Sequence, residues 1–208
     1  QEKIYAYTSS YPGTLSYNFD SLKAINVNIV SSSDGLLRIY SWGTWLGGTM
    51  QDFANIFQFK SGGKVFVKLI HDTATLNEGV YVPFYSQIHS LKGKTKTYYL
   101  AISNGVYSSK DCSQSIRVFT IENHSINDTV KLFKTKTGYQ NAIDVDFDFF
   151  TVADRPERPL RLIKYDPETK TVYIPIVYDN GLVTNKFILY KYNGEHFEYL
   201  RTQRNPKK

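Results

Sequence analysis

Asp144, Asp146 and Asp148 alternate with Val145, Phe147 and Phe149. On an extended strand this spacing puts the carboxylates on one face and the apolar side chains on the other, with successive carboxylates about 7 Å apart. Such a row is a hydrated strand face, a partner for cationic side chains, or an irregular calcium site. An EF-hand loop is excluded. It needs glycine at its sixth position and glutamate at its twelfth, and those positions hold Phe149 and Arg155. Carboxylate catalysis on a glycan is the enzymatic reading, with Asp72 and Glu78 as further acids. It requires two carboxyl groups facing one cleft, one of them with a raised pKa.

Both tryptophans, Trp42 and Trp45, lie in one short stretch with Tyr40 two residues upstream and Gly47-Gly48 just after. An aromatic cluster beside glycines suits stacking on a sugar ring or docking of a partner, so Tyr40, Trp42 and Trp45 form a candidate ligand site. The plain alternative is that one indole plugs the core.

The four histidines, His71, His89, His124 and His196, show no metal-ligand spacing. Cys112 sits in a polar stretch, residues 108–115, without a nearby base, so a nucleophilic role finds no support. As the single cysteine it excludes an internal disulfide. The glycines match no phosphate-binding loop, and the sequence predicts no cofactor.

These residues must be positioned by sheets. Tyrosine and phenylalanine number 17 and 13 in 208 residues, a bias that favours pleated, half-buried surfaces. Strand-turn-strand patterns recur three times, over residues 22–70, 82–133 and 160–200. The first has runs at 22–30, 36–42, 53–59 and 64–70. The second has runs at 82–89, 95–103, 116–121 and 129–133. The third has runs at 160–165, 170–177, 186–192 and 195–200. In the third, Asp166-Pro167 opens a turn, and Asn193-Gly194 marks a two-residue hairpin. Pro175 cannot donate to a ladder and predicts an edge or a bulge. Residues 3–8 alternate as a lone strand that would pair with the last one. The expectation is a single all-β domain over residues 1–208. It is built of antiparallel four-stranded meander units, propeller-like or arranged as an irregular β-sandwich or barrel. Function is expected in the connections 43–52, 107–114 and 139–159.

The phrases Asp34-Gly35-Leu36-Leu37-Arg38-Ile39-Tyr40-Ser41-Trp42, Lys164-Tyr165-Asp166 followed by Thr169-Lys170-Thr171-Val172-Tyr173-Ile174-Pro175, and Phe187-Ile188-Leu189-Tyr190-Lys191-Tyr192-Asn193-Gly194 resemble those of uncharacterised exported proteins of Bacteroidetes bacteria. The resemblance covers about half the chain. It implies a periplasmic or cell-surface location and carries no catalytic residues with it. A start at Gln1 fits a chain whose signal peptide has been removed, and equally an arbitrary boundary.

The composition is globular, with 41% hydrophobic and 21% charged residues, and no apolar run of 18 residues spans a membrane. Roughly half of the net charge of +6 comes from the ends of the chain, and further lysines lie in turn and strand-edge segments, a pattern that guards sheet edges rather than binding nucleic acid. The functional expectation is a non-enzymatic exported or cell-envelope protein that binds a glycan or a protein partner. The alternatives are a glycan-acting hydrolase and a structural or assembly module.

Overall fold

The computed structural model describes residues 2–45, 48–70 and 82–204. It is an all-β architecture of three sheets. The first is a meander of β1 (Asn28–Ser31), β2 (Leu37–Gly43), β3 (Phe53–Ser61) and β4 (Lys64–Leu69). The second has the order β11-β7-β6-β5, from β5 (Phe84–Lys92), β6 (Thr97–Val106), β7 (Asp111–Glu122) and β11 (Ala142–Asp148), with β8 (Ser125–Asn127) paired to the end of β7. The third has the order β10-β9-β15-β14-β13-β12. It comprises β9 (Phe133–Thr135), β10 (Gly138–Gln140), β12 (Lys164–Asp166), β13 (Thr171–Val177), β14 (Val183–Tyr192) and β15 (Phe197–Arg204). All these pairings are antiparallel except β9 with β15.

The second sheet is the middle layer. Along β6, Tyr99 and Ala101 join Leu37, Ile39 and Phe57 of the first sheet in one core. Their neighbours Leu100 and Ile102 join Val172, Ile174 and Phe197 of the third sheet in another. Successive residues of a strand face opposite ways, so both faces of β6 are sealed. A strand covered on both sides reads as a continuous buried run, and residues 99–104 are buried without interruption. Each aliphatic side chain sealed this way contributes roughly 1.5–3 kcal/mol.

The outer face of the first sheet is covered by helix α1 (Glu2–Ser10) and the short helix α2 (Asp20–Ala24), with Ile4, Phe19 and Leu22 packing on Val27, Tyr40 and Ile56. A buried polar network fixes this cover. The Tyr40 hydroxyl lies 2.9 Å from both the Thr14 carbonyl and Gln58 Oε1, and Gln58 Nε2 donates to the Thr8 carbonyl at 3.0 Å. The third sheet instead leaves Lys191, Glu198 and Arg201 exposed.

The second and third sheets are stitched together by the chain itself. After β8 it runs through β9 and β10 in the third sheet and returns for β11 in the second. It then crosses back through residues 149–163. Gln114, fully buried on β7, clamps that crossing. Its Nε2 donates to Asn104 Oδ1 (2.7 Å) and to the Leu160 carbonyl (2.8 Å), and its Oε1 accepts from the Ile163 N–H (2.6 Å).

Several expectations are corrected. No sheet among the described residues closes into a barrel or curls into a propeller; the sheets stack as layers. Residues 3–8 form part of α1, not a strand pairing with the last one. Ile4 and Thr8 lie one helical turn apart and both turn toward the rest of the structure, so packing overrides the local alternation. Residues 22–26 belong to α2 and its left-handed exit at Asn26 (φ 64°), and the strand begins only at Asn28. The fourth strand of the second sheet is β11, not residues 129–133, because β9 is drawn to β15 by the stacked rings of Phe133 and Phe197, 5.2 Å apart. The Asn193-Gly194 turn is longer than two residues, since Tyr192 pairs with Phe197 and Asn193 N–H donates to the His196 carbonyl. The Pro175 bulge is present as a register shift between Pro175 and Val177.

Gln114→Leu strands the Ile163 N–H and the Asn104 amide oxygen in the core. It should lower unfolding free energy by about 3 kcal/mol, read as a reduced urea midpoint at unchanged slope. His89 offers a pH test. Burial, reinforced by the Arg161 charge, holds its imidazole below the usual 6.5, and its Nε2 is buried without a hydrogen-bond partner among the described residues. A depressed folded pKa means that the neutral ring favours folding. This contribution is complete above pH 6.5 and is lost as pH falls toward the folded value. Stability should therefore decline as pH falls below about 6.5, and His89→Gln should flatten that slope in urea titrations.

Candidate functional site

Three hairpin connections gather at one end of the stack: residues 44–45 with 48–52, residues 107–110 and residues 178–182. Backbone bonds tie them to their neighbours. Gln51 N–H donates to the Val106 carbonyl (2.9 Å), Phe149 N–H to the Lys110 carbonyl (2.7 Å), and Asp148 N–H to the Gly181 carbonyl (2.9 Å). Beside the second and third connections, the second and third sheets splay apart around a cleft of 1110 Å³. One wall is β11. The other is the inner surface of β13 and β14, where Ile174, Ile188 and Tyr190 supply the apolar floor.

The hydrogen-bond parity of β11 determines what it shows to the cleft. Val118 N–H donates to the Asn141 carbonyl at one end and Phe149 N–H to the Lys110 carbonyl at the other. Odd-numbered residues of β11 therefore bond to β7, and even-numbered ones direct their N–H and C=O away from it. The backbone groups of Asp144, Asp146 and Asp148 thus form the outer edge. Asp148 N–H is taken by Gly181, and no described strand pairs with Asp144 or Asp146 on that side. Gly181 (φ +84°) is suited to this approach, because a Cβ there would lie 2.8 Å from Asp148 N.

The side chains follow the opposite alternation. Val145 and Phe147 turn into the cores shared with the third sheet, and the three aspartates face the other way, with Asp144 and Asp146 exposed. Among the described residues no group of three or more His, Cys, Asp or Glu side chains is arranged to hold a metal ion. At about 7 Å in water two carboxylates repel by only about 0.6 kcal/mol, so the row is tolerated without a cation. Lys110 Nζ lies 3.7 Å from Asp148 Oδ2 on the exposed rim. Among the described residues the cleft lining and its rim include five aspartates, Asp111, Asp144, Asp146, Asp148 and Asp179, and one lysine, in a chain of net charge +6.

The structure brings residues 107–112 and the Asp144–Asp148 row together around one cleft, and neither tryptophan lines it. Tyr40 is corrected outright. It is fully buried, burial raises its pKa, and its hydroxyl anchors the N-terminal segment rather than meeting a ligand. Trp42 is half-buried on the outer face of the first sheet. It lines a separate 410 Å³ pocket with Phe53, Phe84 and Pro159. Trp45 is 94% exposed, with φ +62°. Cys112 lies in β7 rather than in a loop. Burial first, then the charges of Asp111 and Asp148, push its thiol up, which suits an inert core residue. Asp72, Glu78 and His71 lie outside the described residues. Asp144, Asp146 and Asp148 share one strand face, so they do not oppose one another across a cleft as an acid–base pair must. The free edge of β11 is what sequence reasoning missed. Its alternation was visible, but its place at the margin of the sheet was not. Compared with protein-family models, curated proteins and solved structures, the chain matches none.

The two indoles should behave differently. Trp45→Phe should remove the red-shifted, acrylamide-quenchable part of the emission and move stability by less than about 0.5 kcal/mol. Trp42→Ala should cost about 2 kcal/mol by emptying a half-filled apolar site. Fluorescence quenching and urea titration of both variants check this.

Proposed function

We propose that the protein is a non-enzymatic exported or cell-envelope protein that binds a glycan or a protein partner in the cleft between β11 and β13–β14. The observation that carries this reading is the cleft itself: 1110 Å³, apolar on its floor, acidic on its rim, and bounded by a strand edge. Binding sites favour concave, mainly apolar surfaces with a few placed polar groups, and turns held on a rigid scaffold are common carriers of them. The scaffold here is the doubly packed second sheet, which fixes β7 and, through it, β11. The export assignment rests on the resemblance of three sequence phrases to exported bacterial proteins. The pocket at Trp42 is smaller, and the exposed Trp45 lies outside both.

A screen of oligosaccharides and extended peptides by ligand-observed NMR tests the site. Tyr178 is 52% exposed at the cleft mouth, so Tyr178→Ala and Asp146→Lys should preserve the fold. They should weaken any bound ligand by about tenfold, equivalent to roughly 1.4 kcal/mol, whereas Trp45→Ala should not. A ligand retained by both cleft variants and lost in Trp45→Ala would overturn the assignment. Recovery of the native protein only in the cytoplasmic fraction of its own cells would overturn the export assignment.

A further inference from the structure

Resting on the cleft as the binding site, we infer that the outer edge of β11 is a docking edge for an extended polypeptide that adds to the second sheet as a new strand beside β11. The preferred occupant alternates basic and apolar side chains.

The backbone supplies the template. Asp144 and Asp146 present N–H and C=O groups toward the cleft, at the spacing of a β-ladder, with no strand among the described residues opposite them. The protein already begins such a ladder on this edge, where Asp148 N–H donates to the Gly181 carbonyl. The next two outward-facing residues continue the same line. Strand addition to an open edge draws its affinity from main-chain bonds and its specificity from the alternating side chains.

Those side chains define the occupant. On one face of an added strand its residues would stand opposite Asp144 and Asp146, both exposed. Directly opposed charges of unlike sign stabilise a strand pair. On the other face they would lie over Ile174, Ile188 and Tyr190. The ligand is thus cationic at every second position and apolar at the positions between. A second copy of β11 is disfavoured. Antiparallel pairing of two such edges would set aspartate rows side by side, and opposed like charges destabilise pairing. The acids therefore protect the edge from self-association while leaving it open to a basic strand. The opposite margin of this sheet is not equivalent, because Asn28 Nδ2 of β1 donates to the Tyr85 carbonyl of β5 and ties it to the first sheet.

The probe is a capped octapeptide of alternating lysine and valine, titrated into the full ¹⁵N-labelled chain. Expected are slowed hydrogen exchange at the Asp144 and Asp146 amides and shifts at Ile174, Ile188 and Tyr190. Affinity should fall at least tenfold when alternate peptide nitrogens are methylated in the register facing β11, and less than threefold in the other register. The double variant Asp144→Asn/Asp146→Asn keeps the edge and should weaken binding about tenfold with a shallower salt dependence. If the peptide shifts the cleft resonances without protecting Asp144 and Asp146, or if both methylated registers bind equally, strand addition is wrong and the cleft remains the site. Strand addition is equally wrong, with the cleft retained, if only an oligosaccharide shifts the cleft resonances. If neither probe shifts any cleft resonance at millimolar concentration, the inference and the cleft assignment fall together. A concentration-dependent dimer that protects the same amides would give the edge to a second copy and overturn the basic-strand assignment.

Discussion

Everything in this molecule leans on β6, a strand with no solvent-facing side. Residues 99–104 of β6 send alternate side chains into two different cores, one shared with the first sheet and one with the third. A strand in that position tolerates little. Every side chain must fit a packed surface, and every backbone group must be bonded, since water reaches neither face. The polar residues admitted there are paired in consequence. Asn104 donates to Ser86 Oγ and accepts from Gln114, which in turn holds the crossing segment at Leu160 and Ile163. Gln114 is the point where sheet packing and chain crossing are fixed by one side chain.

The outer layers are finished in different ways. The first sheet carries Arg38, Tyr40 and Gln58 on its outward face, and these would be poorly placed under water alone or under apolar cover alone. The N-terminal segment solves this by presenting backbone carbonyls. Arg38 donates to those of Thr14 and Tyr17, and Gln58 to that of Thr8. The third sheet keeps a charged outer face, with Lys191 opposite Glu198. Cover on one side and charge on the other both limit edge and face association, by burial in one case and hydration in the other.

The cleft is a consequence of the same layering. Near β7 the second and third sheets are held together by the cores around Ile116, Val118 and Cys112. At β11 the second sheet ends, while the third continues through β13 and β14. The space between a sheet margin and a continuing sheet face is lined by backbone on one wall and side chains on the other. That geometry suits a chain-like ligand better than a compact one, and the aspartates give it a sign.

Much of this was legible in the residues alone. The strand runs of β2, β6, β13 and β14 were readable, and the chemistry of Asp166-Pro167 and Asn193-Gly194 marked turns, because residue propensity and turn dihedrals are local properties. The row Asp144, Asp146, Asp148 was readable as one acidic strand face for the same reason. Three things were not readable. Residues 3–8 alternate like a strand yet form a helix, since the fit of Ile4 and Thr8 against neighbouring elements outweighs local propensity. Tyr40, read as part of a candidate ligand site, is interior, and distant Thr14 and Gln58 complete its hydrogen bonds. Residues 133–135 leave the second sheet for β15, which makes β11 the margin and opens the cleft. The sequence by itself determined which residues alternate, where the chain turns and which face of each strand is polar. Only the tertiary structure decided which strand lies beside which. That choice rests on complementarity between segments far apart in the chain, and no local pattern encodes it.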